Sequence, residues 1–567
     1  MFIPATKKEM KYLGWNVLDV ILITGDAYID SPFSGVAVIG KVLIAAGFRV
    51  GVIAQPDVTT AGDITALGEP TLFWGVTAGS MDSMVANYTA TRKFRKTDDM
   101  TPGGENTRRP DRAVIAYTNL IRRFFKNTAP IVLGGIEASL RRISHYDFWS
   151  NSVRRSILFD AKADLLVYGM AEKTIVDVAR KLSIGKPITG IRGTCHVAGA
   201  PPEGFTELPS HQAVSRDKQA FTRMFKTFYT NCDPLTAKGL CQLQDTRYLV
   251  HNPPALPPNA LELDRIFELD FEHDAHPVHE PHGPVRALDT IRFSITTHRG
   301  CYGECRFCAI SVHQGRTVIS RSEASILREV EKMTTHRLFK GIIQDVGGPT
   351  ANMYAIECKT KLEKGACKDK RCLVPRPCKH LPVNHRAQIE LLHKIRQAKG
   401  VRKVFIASGI RHDMILHDQS HGRKYVSEIV SHHISGQLKI APEHTEDHIL
   451  SLMGKPGVAQ TKSFISIFDE ANKKSGKNQY LTYYFIAAHP GSTLNDMQRL
   501  RDFTRQTLRL TPEQVQVFTP TPSTFSTLMY HTGVACDTGE PIYVEKDVKR
   551  KEKQKQTVTI SKNQRPR

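Results

Sequence analysis

The 567-residue sequence has no long uninterrupted hydrophobic run: its most apolar stretch, "VLIAAGFRVGVIA", is broken by Arg49, which excludes a spanning helix there. The opening "MFIPATKKEMKYLGWNVLDV" lacks the apolar core and cleavage site of a secretory signal, so a cytoplasmic protein with no membrane association is expected. No G-x4-G-K-[ST] phosphate loop and no G-x-S-x-G nucleophile elbow occurs, which removes P-loop and serine-hydrolase chemistry. Eleven cysteines in so long a chain are too sparse for a disulfide scaffold, and in a reducing compartment clustered thiols point to metal. Negative charge is also in deficit: 56 acidic against 78 basic residues leave a formal charge of +22, a bias that suits RNA or another polyanion.

What is present has order. From Asp19 the chain reads as strand, loop, helix, strand, and further strand-like runs follow at "TLFWGVT", "APIVLGGIEAS" and "ADLLVYGMAE". A Rossmann-like α/β domain over residues 15–195 is expected, with ligands at the carboxyl ends of its strands. Residues 196–285 are rich in proline and histidine and read as a connecting region, with His273, His276, His279 and His282 in a solvated linker. From 286 to 545 six apolar runs alternate with polar loops and helical stretches, the pattern of a partial (β/α)6 barrel. Residues 546–567 carry nine Lys/Arg and read as a basic disordered tail.

Seven of the cysteines fall in two groups. Cys301, Cys305 and Cys308 lie at C-x3-C-x2-C spacing on the loop after the first barrel strand. A cubane iron-sulfur cluster held wholly by protein takes four Cys, so three ligands leave one iron open to a reactant. The second group, Cys358, Cys367, Cys372 and Cys378, sits in a Lys/Arg-rich insert at about 355–382 with little apolar surface to bury. Such a segment needs a staple, and structural zinc or an auxiliary iron-sulfur cluster would each serve.

The motif Cys301-x3-Cys305-x-Phe-Cys308, with the six-unit pattern behind it, resembles that of radical S-adenosylmethionine (SAM) enzymes. "DVGGPTANMYAI", "SGIRHD", "KIAPEHTED", "LMGKP", "YYFIAAHPGST" and "QVQVFTPTPSTFSTLMY" resemble the YgiQ-like members of that superfamily, over about Trp15 to Tyr543. The resemblance implies a [4Fe-4S] cluster on Cys301, Cys305 and Cys308, SAM on the open iron, and a reduced flavodoxin- or ferredoxin-type electron donor. It also implies SAM contacts from Phe307, from the Gly-rich loop at Gly347 and Gly348, and from Ser408, Arg411, Glu443 and His444 at later strand ends.

The amino-terminal domain resembles cobalamin-binding domains that precede such barrels. A cobalt-ligating form carries Asp-x-His-x-x-Gly, and Asp26-Ala-Tyr-Ile-Asp30 supplies no His. This counts against cobalamin without excluding a corrin held with no His ligand. The function expected is generation of a 5'-deoxyadenosyl radical to modify an unidentified substrate, RNA or protein. The alternative is a non-enzymatic, metal-stabilised RNA-binding protein.

Overall fold

The apolar run "VILIT" forms the strand Val20–Thr24, buried along its whole length, with Val50–Ala54 and Phe73–Thr77 paired in parallel on its two sides. Ile131–Leu133 and Leu165–Val167 continue the parallel sheet. Numbered along the chain, these five strands stand in the order 2-1-3-4-5, whose topological switch point lies between the first and third. Helices Gly35–Ala45 and Glu172–Ser183 cover the sheet, burying Val36, Leu43, Ile175 and Val178 in one core. The computed structural model describes residues 1–559. It divides into two units, Met1–Pro257 with Arg265–Arg292, and Pro258–Asp264 with Phe293 onward.

Residues 196–285 do not form the connecting region expected. Thr194–Ala198, Arg247–His251, Leu240–Gln244 and Thr206–Leu208 extend the sheet to nine strands, the added ones mainly antiparallel. The prolines stop helices without preventing extended pairing: Asp274 and Ala275 pair with Asp30 and Ile29. Of the four histidines only His282 is exposed. His273, His276 and His279 are buried, and the Nε2 of His279 accepts the Tyr28 N–H at 2.9 Å.

In the second unit, Ser294–Thr296 pairs in parallel with Asp345–Gly347, and Ile342–Ile343 with Lys403–Val404. A parallel bridge joins Ile410 to Ile440, and Gln437–Glu443, Tyr480–Ala487 and Gln514–Val517 follow in parallel order. Six strand runs thus stand side by side in chain order, and among the described residues no pairing joins the last to the first. Helices Glu323–Thr334, Arg386–Gln397, Gly422–His432, Val458–Ser475 and Leu494–Gln506 follow successive runs and bury apolar faces such as Ile326, Val330 and Ile429.

The sixth helix was unexpected. Val548–Val558 is helical and packs back on the barrel, so residues 548–558 are not a disordered tail; residues 560–567 lie outside the described part. Its buried face is Lys551, Gln554 and Val558, a 3.6-residue periodicity written mostly in long polar side chains whose stems bury while their ends find partners. Lys551 Nζ donates to the Tyr530 hydroxyl at 2.8 Å, and Gln554 Oε1 accepts the Ala488 N–H at 3.0 Å. Among the described residues no helix is long and apolar enough to cross a membrane.

Candidate functional site

The thiol loop leaves the first barrel strand through Gly300, whose φ of +80° only glycine adopts without strain. A Cβ there would stand 2.0 Å from the Thr317 carbonyl oxygen, so the loop lies hard against backbone. The neighbouring ribbon, His298–Arg299 against Ile319–Ser320, holds this end of the loop. Gly303 lies among the sulfurs: its N–H points to Cys301 Sγ at 3.3 Å, and a Cβ on it would meet Cys301 Sγ at 3.2 Å and Cys305 Sγ at 3.6 Å. Thr350 Oγ1 stands 3.6 Å from Cys301 Sγ.

Arg411, 106 positions along the chain, reaches this loop with Nη1 3.4 Å from Cys305 Sγ. Two contacts aim it. Asp413 takes its Nε and Nη2 at 2.8 and 2.5 Å, and the Asn352 side chain accepts its backbone N–H at 2.7 Å. Sequence reading missed Asp413 and Asn352, although both lie inside quoted motifs. Burial, then the neighbouring Cys305, pushes the Cys308 thiol up to about 12 and raises Cys301 as well. Buried thiols raised in this way give up their protons to a strong cation, so a loop offering three sulfurs fits an iron-sulfur cluster.

Glu443 ends the fourth strand run at a break in register and holds φ at +71°, a left-handed conformation rare for a glutamate. Burial raises its carboxyl to about 7 against the opposing pull of Lys455 and Arg411. Lys455 Nζ is 3.9 Å from Glu443 Oε1, and sequence reading gave it no role. His444 is fully buried; its Nδ1 accepts the Glu446 N–H at 3.1 Å, which leaves the proton on Nε2, a buried atom with no partner. Burial lowers this imidazole to about 3, so it stays neutral and offers an N–H. An orphaned buried donor at a strand end fits a bound polar ligand such as SAM.

The other expected residues have partners within the protein. Phe307 meets His489 edge to face, with ring centroids 6.5 Å apart, and His489 Nε2 pairs with Ser526 Oγ at 2.7 Å. The Gly347 carbonyl accepts from Thr297 N at 2.6 Å, and a Cβ on Gly348 would meet the His298 ring at 2.7 Å. This pair of glycines packs against Thr297 and His298. Ser408 donates its hydroxyl to the Asp345 carboxylate, which also accepts the Ala407 N–H at 2.8 Å, so Ser408 is engaged at its own strand end.

In the first unit the switch-point loops bridge each other. Asp26 accepts the Ser80 N–H at 2.6 Å and pairs with buried Arg109, while a Cβ on Gly25 would stand 2.3 Å from the Ala78 carbonyl oxygen. His279 Nε2 accepts the Tyr28 N–H, and His276 stacks on the Tyr28 ring, with its Nδ1 accepting the Val278 N–H and its Nε2 3.1 Å from Glu9 Oε1.

Residues 2–294 match the family description Radical SAM N-terminal, and residues 295–504 match Radical SAM superfamily. A UPF0313 protein of Fusobacterium nucleatum is 54% identical over 565 residues, covering 100% of both chains. One of Thermotoga maritima is 50% identical over 570 residues, again covering 100% of both. Among solved structures, the radical SAM methyltransferase TsrM of Kitasatospora setae, with cobalamin and a [4Fe-4S] cluster bound, superposes at a TM-score of 0.51 with 15% identity, covering 89% of this chain and 76% of its own. The cobalamin-dependent radical SAM enzyme OxsB, with aqua-cobalamin bound, gives 0.51 with 13% identity, covering 94% and 59%. These likenesses show the shared α/β fold, and since both neighbours hold cobalamin they lend no support to the expectation against it. The chain belongs to the UPF0313, YgiQ-like radical SAM proteins, enzymes whose radical SAM domain implies an iron-bearing [4Fe-4S] cluster and SAM.

Proposed function

We infer that Cys301, Cys305 and Cys308 hold a [4Fe-4S] cluster at the mouth of the barrel and that SAM binds on its open side. The observation that carries this reading is the convergence of three thiols and Gly303 on one loop with the Arg411 guanidinium reaching it. When bound, the cluster supplies one electron to the SAM sulfonium, whose cleavage yields methionine and a 5'-deoxyadenosyl radical that takes hydrogen from the substrate. Arg411 offsets the negative charge of the Cys305 thiolate, and Asp413 keeps its fork from turning away. His444 offers a neutral N–H donor, and Glu443 with Lys455 presents a carboxyl and an ammonium to SAM's polar groups.

The formal charge of +22 favours RNA over protein as substrate. A reduced flavodoxin- or ferredoxin-type protein supplies the electron. The non-enzymatic RNA-binding alternative draws no support from the relatives. Anaerobic reconstitution with iron and sulfide, followed by reduction in the presence of SAM, should release 5'-deoxyadenosine, and Cys305→Ala should abolish it. Unchanged release in that variant would overturn the assignment.

A further inference from the structure

The insert after the second barrel strand is irregular from Gly365 to the helix beginning at Arg386; before it lies the six-residue helix Lys359–Lys364. So long an irregular segment needs either function or a staple to stay ordered. Its thiols do not point outward at random. Cys358 and Cys372 are buried in one cluster with Leu373 and Leu381, Cys378 packs against that cluster, and the Cys378 N–H donates to the Cys372 carbonyl at 2.8 Å. Around them the segment 355–382 carries eight Lys/Arg against three acidic residues. Lys361, itself buried, faces the Cys372 thiol, an arrangement suited to thiolates held on a metal.

The same cluster contains Tyr302, the residue after the first cluster ligand, whose hydroxyl accepts the Cys358 N–H at 3.0 Å, and the Cys301 side chain packs against it. Tetrahedral zinc, with Zn–S of ~2.3 Å, would draw its four sulfurs to about 3.8 Å from one another. Among the described residues, no three of the four insert thiols lie within 4.8 Å of each other, and the same holds for Cys301, Cys305 and Cys308. A cubane, whose irons stand between the ligating sulfurs, does not require sulfurs so close together. The intervals x8, x4 and x5 also lack the close C-x2-C pairs typical of zinc knuckles.

We propose that Cys358, Cys367, Cys372 and Cys378 ligate a second [4Fe-4S] cluster, fully coordinated by protein, which staples the insert against the thiol loop. The test uses the full chain with Cys301, Cys305 and Cys308 all changed to Ala, reconstituted anaerobically with iron and sulfide in the presence of zinc. About four irons and four sulfides per chain, with a [4Fe-4S] Mössbauer signature, are expected to remain, against about eight of each in the unchanged protein. Further change of Cys358 and Cys372 to Ser should remove them. In the chain where Cys358 and Cys372 alone are changed, about four irons that respond to added SAM should persist, which shows that the barrel still folds. A triple variant that binds one zinc, or no metal, while the unchanged protein holds about four irons overturns the proposal and leaves the catalytic cluster standing. An unchanged protein without iron would instead remove the reading of the first site.

Discussion

Gly300→Ala puts a methyl group where the thiol loop has no room for one. Two costs add. A residue other than glycine at φ +80° costs about 1–2 kcal/mol. A Cβ 2.0 Å from the Thr317 carbonyl oxygen, with the carbonyl carbon at 2.8 Å, meets backbone and not a flexible side-chain end, so overpacking adds about 1–3 kcal/mol. Gly315→Ala is the control. Its φ is +99° but nothing lies within 4 Å of the new Cβ, so only the first cost applies, although the Gly315 carbonyl accepts the Cys301 N–H on the same loop. If reconstituted iron escapes through local opening of this loop, its loss to a chelator scales with the opening equilibrium. The expected acceleration is then roughly 30-fold or more for Gly300→Ala and about 5- to 30-fold for Gly315→Ala, at 1.4 kcal/mol per tenfold. Anaerobic iron release followed by absorbance measures both. Equal rates in the two variants would refute the claim that backbone crowding at Gly300 shapes the loop.

Arg411→Met strands the buried Asp413 carboxylate and should cost about 3–5 kcal/mol. The double change with Asp413→Asn should recover most of that in thermal unfolding, and no recovery would deny the pairing. Burial, then the nearby Arg141 guanidinium, pushes the His145 imidazole from 6.5 down to about 3. The unfolded chain therefore binds a proton that the native state refuses: this group's contribution is intact above about pH 6.5 and fades as pH falls toward 3. At about pH 5 the loss is ~2 kcal/mol, readable as a shift of urea midpoint that His145→Asn should shrink. Gln554→Ala should cost about 1–3 kcal/mol by leaving the buried Ala488 N–H without its acceptor. A variant as stable as the parent would mean that the last helix contributes little to the barrel.

Local pattern explains what the sequence revealed. The thiol loop is spelled out in eight consecutive residues, Cys301 to Cys308, and parallel strands announce themselves as apolar runs such as "VILIT", buried on both faces, and the half-buried "YLTYYFIA". What escaped was carried by distance or by ambiguous chemistry. Arg411 approaches Cys305 from 106 positions away, and the Asn352 contact that aims it exists only once the second and third strand ends are side by side, while the local pairing with Asp413 has no sequence signature of its own. The helix Val548–Val558 buries lysine and glutamine stems, which composition counts as polar. The hydrogen bonds of Gly347 with Thr297 and of Ser408 with Asp345 likewise join segments far apart in the chain.

The division of the chain has a consequence for how such a protein can be cut or recombined. Pro258–Asp264 belongs to the barrel unit although the residues on either side of it belong to the first. Within the barrel unit Asp264 Oδ1 accepts the backbone N–H of Ser322 at 3.0 Å, and Ser322 caps the first barrel helix through Ser325 N at 3.1 Å. A chimera joined at residue 292 would therefore import a foreign acceptor for that helix terminus, and an isolated fragment starting at Phe293 would have none from this segment. Neither unit is a single stretch of the gene, so the barrel can be inherited separately only if a seven-residue strap travels with it.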